Sequence, residues 1–115
     1  MKTKEYGTSK EVVKYLEGLI SLTATADASK VVAGLDGRKV LPAGTIVTGS
    51  LTDRDKKVSE ANDATAIGVT RYDVSLDDGD AAVAVVIAGT INLANIPKAP
   101  ETAAKTALNN IIFMN

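Results

Sequence analysis

The clearest pattern of apolar and polar positions lies in the second half of the chain and is typical of β-strands. The apolar residues change parity within residues 64–76: Ile67, Val69, Tyr72, Val74 and Leu76. Since a pleated strand points alternate side chains to opposite faces, this change predicts a β-bulge near Thr70–Arg71. The following segment, AAVAVVIAGTINL over residues 81–93, begins as a nearly continuous apolar run. It predicts a strand buried on both faces, with a bend at Gly89.

The first part of the chain gives a mixed pattern. Residues 1–9 are polar and predict a flexible arm. The apolar residues of the next segment fall at helical spacing: Val12, Val13, Leu16, Leu19 and Ile20. They predict a short helix that runs into a strand, in which Ile20, Leu22 and Ala24 alternate with polar residues. Further on, Asp36-Gly37 stands between two apolar runs and favours a two-residue hairpin turn.

The C-terminal region predicts a helix and a closing strand. An apolar stripe follows Pro100, which suits the first helical turn: Ala103, Ala104, Ala107 and Leu108. The last residues, IIFMN, predict a short strand that closes the sheet or lies in an interface. Together the elements predict a mainly β (α+β) domain over residues 10–115. Its expected form is a small β-sandwich or partly open β-barrel with the C-terminal helix and the short N-terminal helix.

Three aspartates, Asp77, Asp78 and Asp80, stand between the apolar runs and raise the question of a metal or acid–base site. Asp and Gly are favoured in turns between strands of opposite direction. A calcium loop needs oxygen ligands at alternating positions and a more distant bidentate Glu, and that spacing is absent here. The sequence therefore favours a solvated hairpin tip over the alternative, a weak cation site.

Composition narrows the classes of function. The chain has no Cys and no His, so thiol chemistry, Ser-His and Cys-His nucleophilic sites are excluded. Aromatic residues are scarce, which counts against sugar sites and stacking platforms for single-stranded nucleic acid. The net charge of −1 provides no basic field for nucleic acid, and no apolar run reaches the length of a membrane span. We therefore expect no catalytic residue, cofactor, metal ligand, nucleic acid or membrane partner.

Several motifs, in order along the chain, resemble phage head decoration proteins of the lambda type and prophage head-fiber proteins. LPAGTIVTG resembles an early strand of these proteins, and ANDATAIGVTRYDV resembles their alanine-rich turn and the strand after it. AVVIAGTINLANI is similar to their long strand, and PKAPETAAKTALNNIIFMN to their closing helix and last strand. The head-fiber proteins are also similar around GRKVLPAGTIV. Residues 10–35 differ from the lambda type, which has an arm rich in Pro, Gly and Ala there.

The resemblance implies a non-enzymatic protein that stabilises the phage head. Proteins of this type bind the major capsid protein on the outer surface of the virion as homotrimers, after synthesis in the host cytoplasm. By the same resemblance, the N-terminal arm attaches to the capsid through Lys2, Thr3, Lys4, Glu5 and Tyr6. The apolar segments AAVAVVIAG and IIFM provide candidate oligomer-interface residues: Val85, Ile87, Ile111, Ile112 and Phe113. A tail or baseplate component and a small binding domain remain as alternatives.

Overall fold

The structure, a computed structural model, describes residues 12–35, 37–50 and 56–114, without the side chains of Leu16 and Glu17. The strands are β1 (Val13–Ala26), β2 (Val40–Leu41), β3 (Ile46–Thr48), β4 (Ser59–Glu60), β5 (Ala66–Thr70), β6 (Val74–Ser75), β7 (Ala81–Asn92) and β8 (Ile111–Met114). One α-helix, α1 (Thr102–Ala107), and two short 3-10 helices, Ala28–Lys30 and Leu93–Asn95, complete the described elements.

Most of these strands form one antiparallel sheet. Its order is β1-β7-β5-β3-β4, and β8 pairs with β7 in parallel. The strands β2 and β6 form a separate two-stranded sheet. The prediction of a mainly β domain with one short C-terminal helix is confirmed.

The two edges of the main sheet meet at one end. Val58, the residue before β4, forms a parallel bridge with Ala26 at the end of β1. The Val58 N–H donates to the Thr25 carbonyl at 2.8 Å, and the Asp27 N–H donates to the Val58 carbonyl at 3.0 Å. Because β1 and β4 are the first and last strands in the order, these bonds join opposite edges. The two edges of the main sheet are thus joined at one end by a single bridge.

The predicted N-terminal helix is wrong, because its residues form the start of β1. β1 pairs with β7 along its length, and Gly18 lies in the left-handed region at φ 75°, which ends any helical run. The register shifts between Val13 and Tyr15 and again between Tyr15 and Ile20. Each irregularity changes which face the next side chain points to. Val12 and Val13 are buried, whereas Ile20 is exposed, so the apolar spacing does not mark one buried helical face. Pairing with a long neighbouring strand overrides the local preference. The strand predicted from Ile20 onward is confirmed.

The bulge predicted near Thr70–Arg71 is also wrong. β5 ends at Thr70, and β6 then pairs with β2 in the other sheet. The change of parity therefore marks a move from one sheet to another. Leu76, after β6, is buried in the core beneath the second sheet.

No hairpin of two strands surrounds the Asp36-Gly37 dipeptide. Asp36 itself lies outside the described residues. Residues 31–35 are not a strand, and β2 pairs with β6 in place of this segment. A local bond from the Gly34 N–H to the Arg38 carbonyl, at 2.9 Å, closes the loop instead.

The main sheet separates two hydrophobic cores. The first core contains Val12, Val13, Ile46, Ala66, Val69, Val86, Ile91, Ala104, Leu108 and Ile111. The second core contains Ala26, Ala28, Leu41, Val47, Val58, Leu76, Val83 and Val85. β7 contributes to both, which confirms that this strand is buried on both faces.

The helix α1 covers the first core with one apolar stripe. Ala104 and Leu108 are buried there, as the sequence predicts, and Ala103 is exposed. Asn62, which follows the edge strand β4, holds the start of the helix. Its Oδ1 accepts the Glu101 N–H at 2.8 Å and its Nδ2 donates to the Ala99 carbonyl at 3.0 Å. After the helix, the chain forms β8 beside β7.

Candidate functional site

An uncovered apolar surface lies where β1, β7 and β8 run side by side. In the middle strand, Thr90 pairs with Tyr15 of β1 and with Ile112 of β8. Residues paired across neighbouring strands point to the same face of a sheet. These three side chains therefore form a row across the sheet, with the small Thr90 between two large exposed neighbours.

Two further pairs extend this row in both directions. Ala88 pairs with Ile20, and Asn92 pairs with Met114. The large apolar side chains of this face are substantially exposed: Tyr15 (50%), Ile20 (55%), Ile112 (61%) and Met114 (39%). We call these four residues the sheet patch. Together they expose on the order of 400 Å² of mostly apolar surface, which is in the range of the largest apolar patch on a typical monomer, and such a patch is often functional.

The opposite face of the same strands explains why the sheet patch exists. There Val13, Ile91 and Ile111 are buried in the first core. Further along β1 and β7, the face that carries the sheet patch is covered by the second core, which Leu22 and Val85 join. The sheet patch is thus the part of an apolar sheet face that extends beyond its cover.

The structure divides the five predicted interface residues. Val85 and Ile111 are buried in the two cores, so the protomer itself accounts for their apolar character. Ile87 and Phe113 are partly buried and pack against the second and first cores respectively. Ile112 alone of the five belongs to the sheet patch. The sequence missed Tyr15 and Ile20, because the helical interpretation of this segment hid their shared face with Ile112.

A second exposed apolar surface lies in the loop between β1 and β2. Val32 is 89% exposed, and Leu35 is as exposed as in an extended chain, at 112%. We call these two residues the loop tip. Both ends of the loop are fixed: the Ala28 N–H donates to Asp80 Oδ1 at 2.8 Å, and the Lys39 N–H donates to Asp77 Oδ1 at 2.7 Å. The loop tip therefore projects into solvent from a loop whose two ends are held by hydrogen bonds.

The turn over residues 77–80, which we call the acidic turn, holds both ends of this loop. The prediction of a merely solvated hairpin tip is therefore wrong for Asp77 and Asp80. The turn joins β6 to β7, which belong to different sheets. Besides its bond to Ala28, Asp80 forms an ion pair with Lys57 at 2.6 Å, and Asp77 accepts from Arg38 Nε at 3.2 Å. Asp78 is exposed and shows no bond within the part of the chain that the structure describes.

The surroundings of these carboxylates favour their charged forms. The hydrogen bond from the Lys57 ammonium, helped by the Ala28 N–H, lowers the pKa of Asp80. The Lys39 backbone N–H is the main cause of the lowered pKa of Asp77, and Arg38 and Ser75 add to it. No local pattern indicated these contacts, because the partners lie 38 and 52 residues away in the chain.

Another aspartate has the same role nearby. Asp73 Oδ1 accepts the Ala43 N–H at 2.6 Å and so holds the turn that follows β2. By contrast, among the described residues the Asp63 carboxylate bonds locally, to the hydroxyl and N–H of Thr65, which lower its pKa. Within the described residues, no group of three or more Asp and Glu side chains is arranged to hold a metal ion.

A shallow groove of about 200 Å³ opens beside β1. Its lining residues are Leu22, Thr23, Ala24, Thr25, Ser50, Lys56 and Ala82. Among the described residues, the lining offers hydroxyl groups and an ammonium group.

The predicted arm residues Lys2, Thr3, Lys4, Glu5 and Tyr6 lie outside the described residues. Among the helices that the structure describes, none is long and apolar enough to cross a membrane. Comparison with known proteins adds no relative: no protein-family model matches the chain, and no curated protein sequence matches it either.

Proposed function

We propose that the protein is a non-enzymatic structural component of a phage head. In this proposal it decorates the outer surface of the capsid as a homotrimer, binds the major capsid protein and stabilises the shell. The collinear resemblance of residues 40–115 to lambda-type decoration proteins and head-fiber proteins suggests this role.

The observation that carries the proposal is the sheet patch. A small domain that has already filled two cores still leaves four large apolar side chains together on one sheet face. Burying that face against another copy removes it from water and yields about 25 cal/mol for each Å². Such an exposed apolar surface is expected on a structural protein that assembles with copies of itself.

Attachment to the capsid is assigned in this proposal to the N-terminal arm. Residues 1–10 carry three lysines, Lys2, Lys4 and Lys10, and one glutamate, Glu5. An extended segment adds to an exposed sheet edge through main-chain hydrogen bonds, and Tyr6 can fill a pocket on the partner. The positive charge favours an acidic capsid surface and raises the rate of encounter.

Co-sedimentation with expanded capsids that lack their decoration protein tests the proposal. The full chain should bind saturably, in a stoichiometry that is a multiple of three. Deleting residues 1–9 should weaken binding at least about tenfold, or 1.4 kcal/mol, and leave the melting temperature nearly unchanged. The double variant Lys2→Gln/Lys4→Gln is the matched control for charge: it should slow binding and reduce its salt dependence, without the full loss caused by the deletion.

Two results would contradict the proposal. If the full chain does not sediment with the capsids, the decoration role is wrong. If the truncated chain binds as tightly as the full chain, the arm is not the attachment segment, and the acidic surface between Glu60 and Asp80 becomes the next candidate.

A further inference from the structure

Among the described residues, the sheet patch and the loop tip are two unlike exposed apolar surfaces. We infer that the loop tip of one copy packs on the sheet patch of the next, so that head-to-tail contacts close a ring of copies. The inference rests on the proposed function for the size of that ring, three copies, and on the structure for the two surfaces.

Symmetry gives the first reason. A two-fold dimer uses one surface twice, whereas a ring of three or more copies needs two different surfaces on each copy. The sheet patch and the loop tip meet that requirement, since each is apolar and each lacks a cover within the described residues. One head-to-tail contact, repeated around the ring, buries both surfaces on every copy.

The position of the two surfaces gives the second reason. Along β1 the sheet patch ends at Ile20, and the loop that carries Val32 and Leu35 starts after Ala26. Six residues of strand span about 20 Å. The loop tip therefore lies at the other end of β1 from the sheet patch, and a neighbouring copy is the natural occupant of each.

The fixed base of the loop gives the third reason. Ordering a mobile loop on binding costs free energy that is subtracted from affinity. Here the bonds of Asp80 to Ala28 and of Asp77 to Lys39 hold both ends of the loop before any contact forms. Leu35 is thus presented to a partner at a reduced entropic cost.

The size of the surfaces predicts a weak contact. About 400 Å² of sheet patch against a similar area around the loop tip falls below the roughly 1,200 Å² of a standard stable interface. We therefore expect monomers at low protein concentration and rings at high concentration, or on a capsid that raises the local concentration.

Cysteine cross-linking tests the contact in a chain that has no native cysteine. A disulfide forms only between residues whose Cα atoms lie within about 7 Å. The double variant Leu35→Cys/Ile112→Cys, oxidised mildly at high concentration, should yield covalent trimers on a non-reducing gel. An equimolar mixture of Leu35→Cys with Ile112→Cys should yield a dimer that contains one chain of each. Each single variant alone should stay largely monomeric.

The matched control is Tyr72→Cys/Ile112→Cys, because Tyr72 is exposed and belongs to neither surface. If the test variant forms no more covalent trimer than this control, the inference is overturned. Efficient dimers from Ile112→Cys alone would also overturn it, since they would show two sheet patches in contact. Capsid sedimentation is a separate readout. If the cross-link fails but the protein still binds capsids, only the proposed ring is wrong. If a covalent trimer forms but does not bind capsids, only the proposed decoration role is wrong.

Discussion

Val85 and Ile112 are both apolar strand residues and both candidates for an interface, yet the structure gives them opposite roles. The side chain of Val85 is fully buried in the second core, and that of Ile112 is 61% exposed on the sheet patch. We predict that Val85→Ala destabilises the protomer and that Ile112→Ala mainly weakens self-association.

The magnitude for Val85→Ala follows from its complete burial. Removing two buried methyl groups costs about 1.6 kcal/mol of transfer free energy. A remaining cavity of about 50 Å³ adds about 1.2 kcal/mol, so the free energy of unfolding falls by about 3 kcal/mol. For a domain of this size about 1 kcal/mol corresponds to about 4 °C, which predicts a melting temperature about 10 °C lower.

Ile112→Ala should cost much less in the protomer. Most of the side chain already lies in water, so the substitution removes about 1 kcal/mol or less and lowers melting by at most about 4 °C. Its larger effect should be on the concentration dependence of self-association, measured by sedimentation velocity.

Thermal unfolding followed by circular dichroism, at low protein concentration, separates the two variants. A melting temperature for Val85→Ala within about 3 °C of the unchanged protein would contradict the burial of Val85, because truncating a fully buried valine lowers the free energy of unfolding. So would a folded Val85→Ala protein that has lost self-association while Ile112→Ala retains it.

Other predictions concern the acidic turn and the approach of two strands. Asp80→Asn should lower the melting temperature more than Asp78→Asn, because only Asp80 holds Lys57 and the Ala28 N–H; equal melts would contradict this. The lowered pKa of Asp80 means that the folded state takes up a proton less readily than the unfolded state. Its contribution to stability is present above pH 3.8 and should be lost as pH falls below that value. The melting temperatures of the wild type and Asp80→Asn should therefore differ most at about pH 7 and become similar between about pH 4 and 2.5. Gly68→Ala should destabilise by about 2–3 kcal/mol, since its Cβ would lie 2.6 Å from the Val86 carbonyl oxygen, a backbone atom that side-chain rotation cannot move; an unchanged melt would disprove the close approach.

Periodicity predicted correctly the elements whose patterns depend on residues close in the chain. The apolar run of residues 81–88 predicted a strand buried on both faces, and the structure places Val86 in one core and Val85 in the other. The stripe after Pro100 predicted the helix, and Ala104 and Leu108 are its buried residues. In each case the signal is a repeat of burial within a few positions, which periodicity reports directly.

The pairings between distant segments could not be predicted from local patterns. The apolar residues from Val12 to Ile20 satisfy a helical spacing, but the segment becomes a strand because Val13, Tyr15 and Ile20 pair with the distant β7. The switch of parity after Thr70 has two local explanations, a bulge or a change of sheet. Only the pairing of β6 with β2, more than 30 residues earlier in the chain, chooses between them.

The candidate surfaces depended on tertiary structure in the same way. Nothing local distinguishes Ile111 from Ile112, although one is buried in the first core and the other lies on the sheet patch. Likewise, nothing local distinguishes Asp78, which stays in solvent, from Asp80, which accepts a hydrogen bond from a residue 52 positions away. A sequence pattern reports that a side chain is apolar or charged. Which face it occupies, and which partner it meets, is decided by strand register and by contacts across the fold, because these bring together residues that no local period connects.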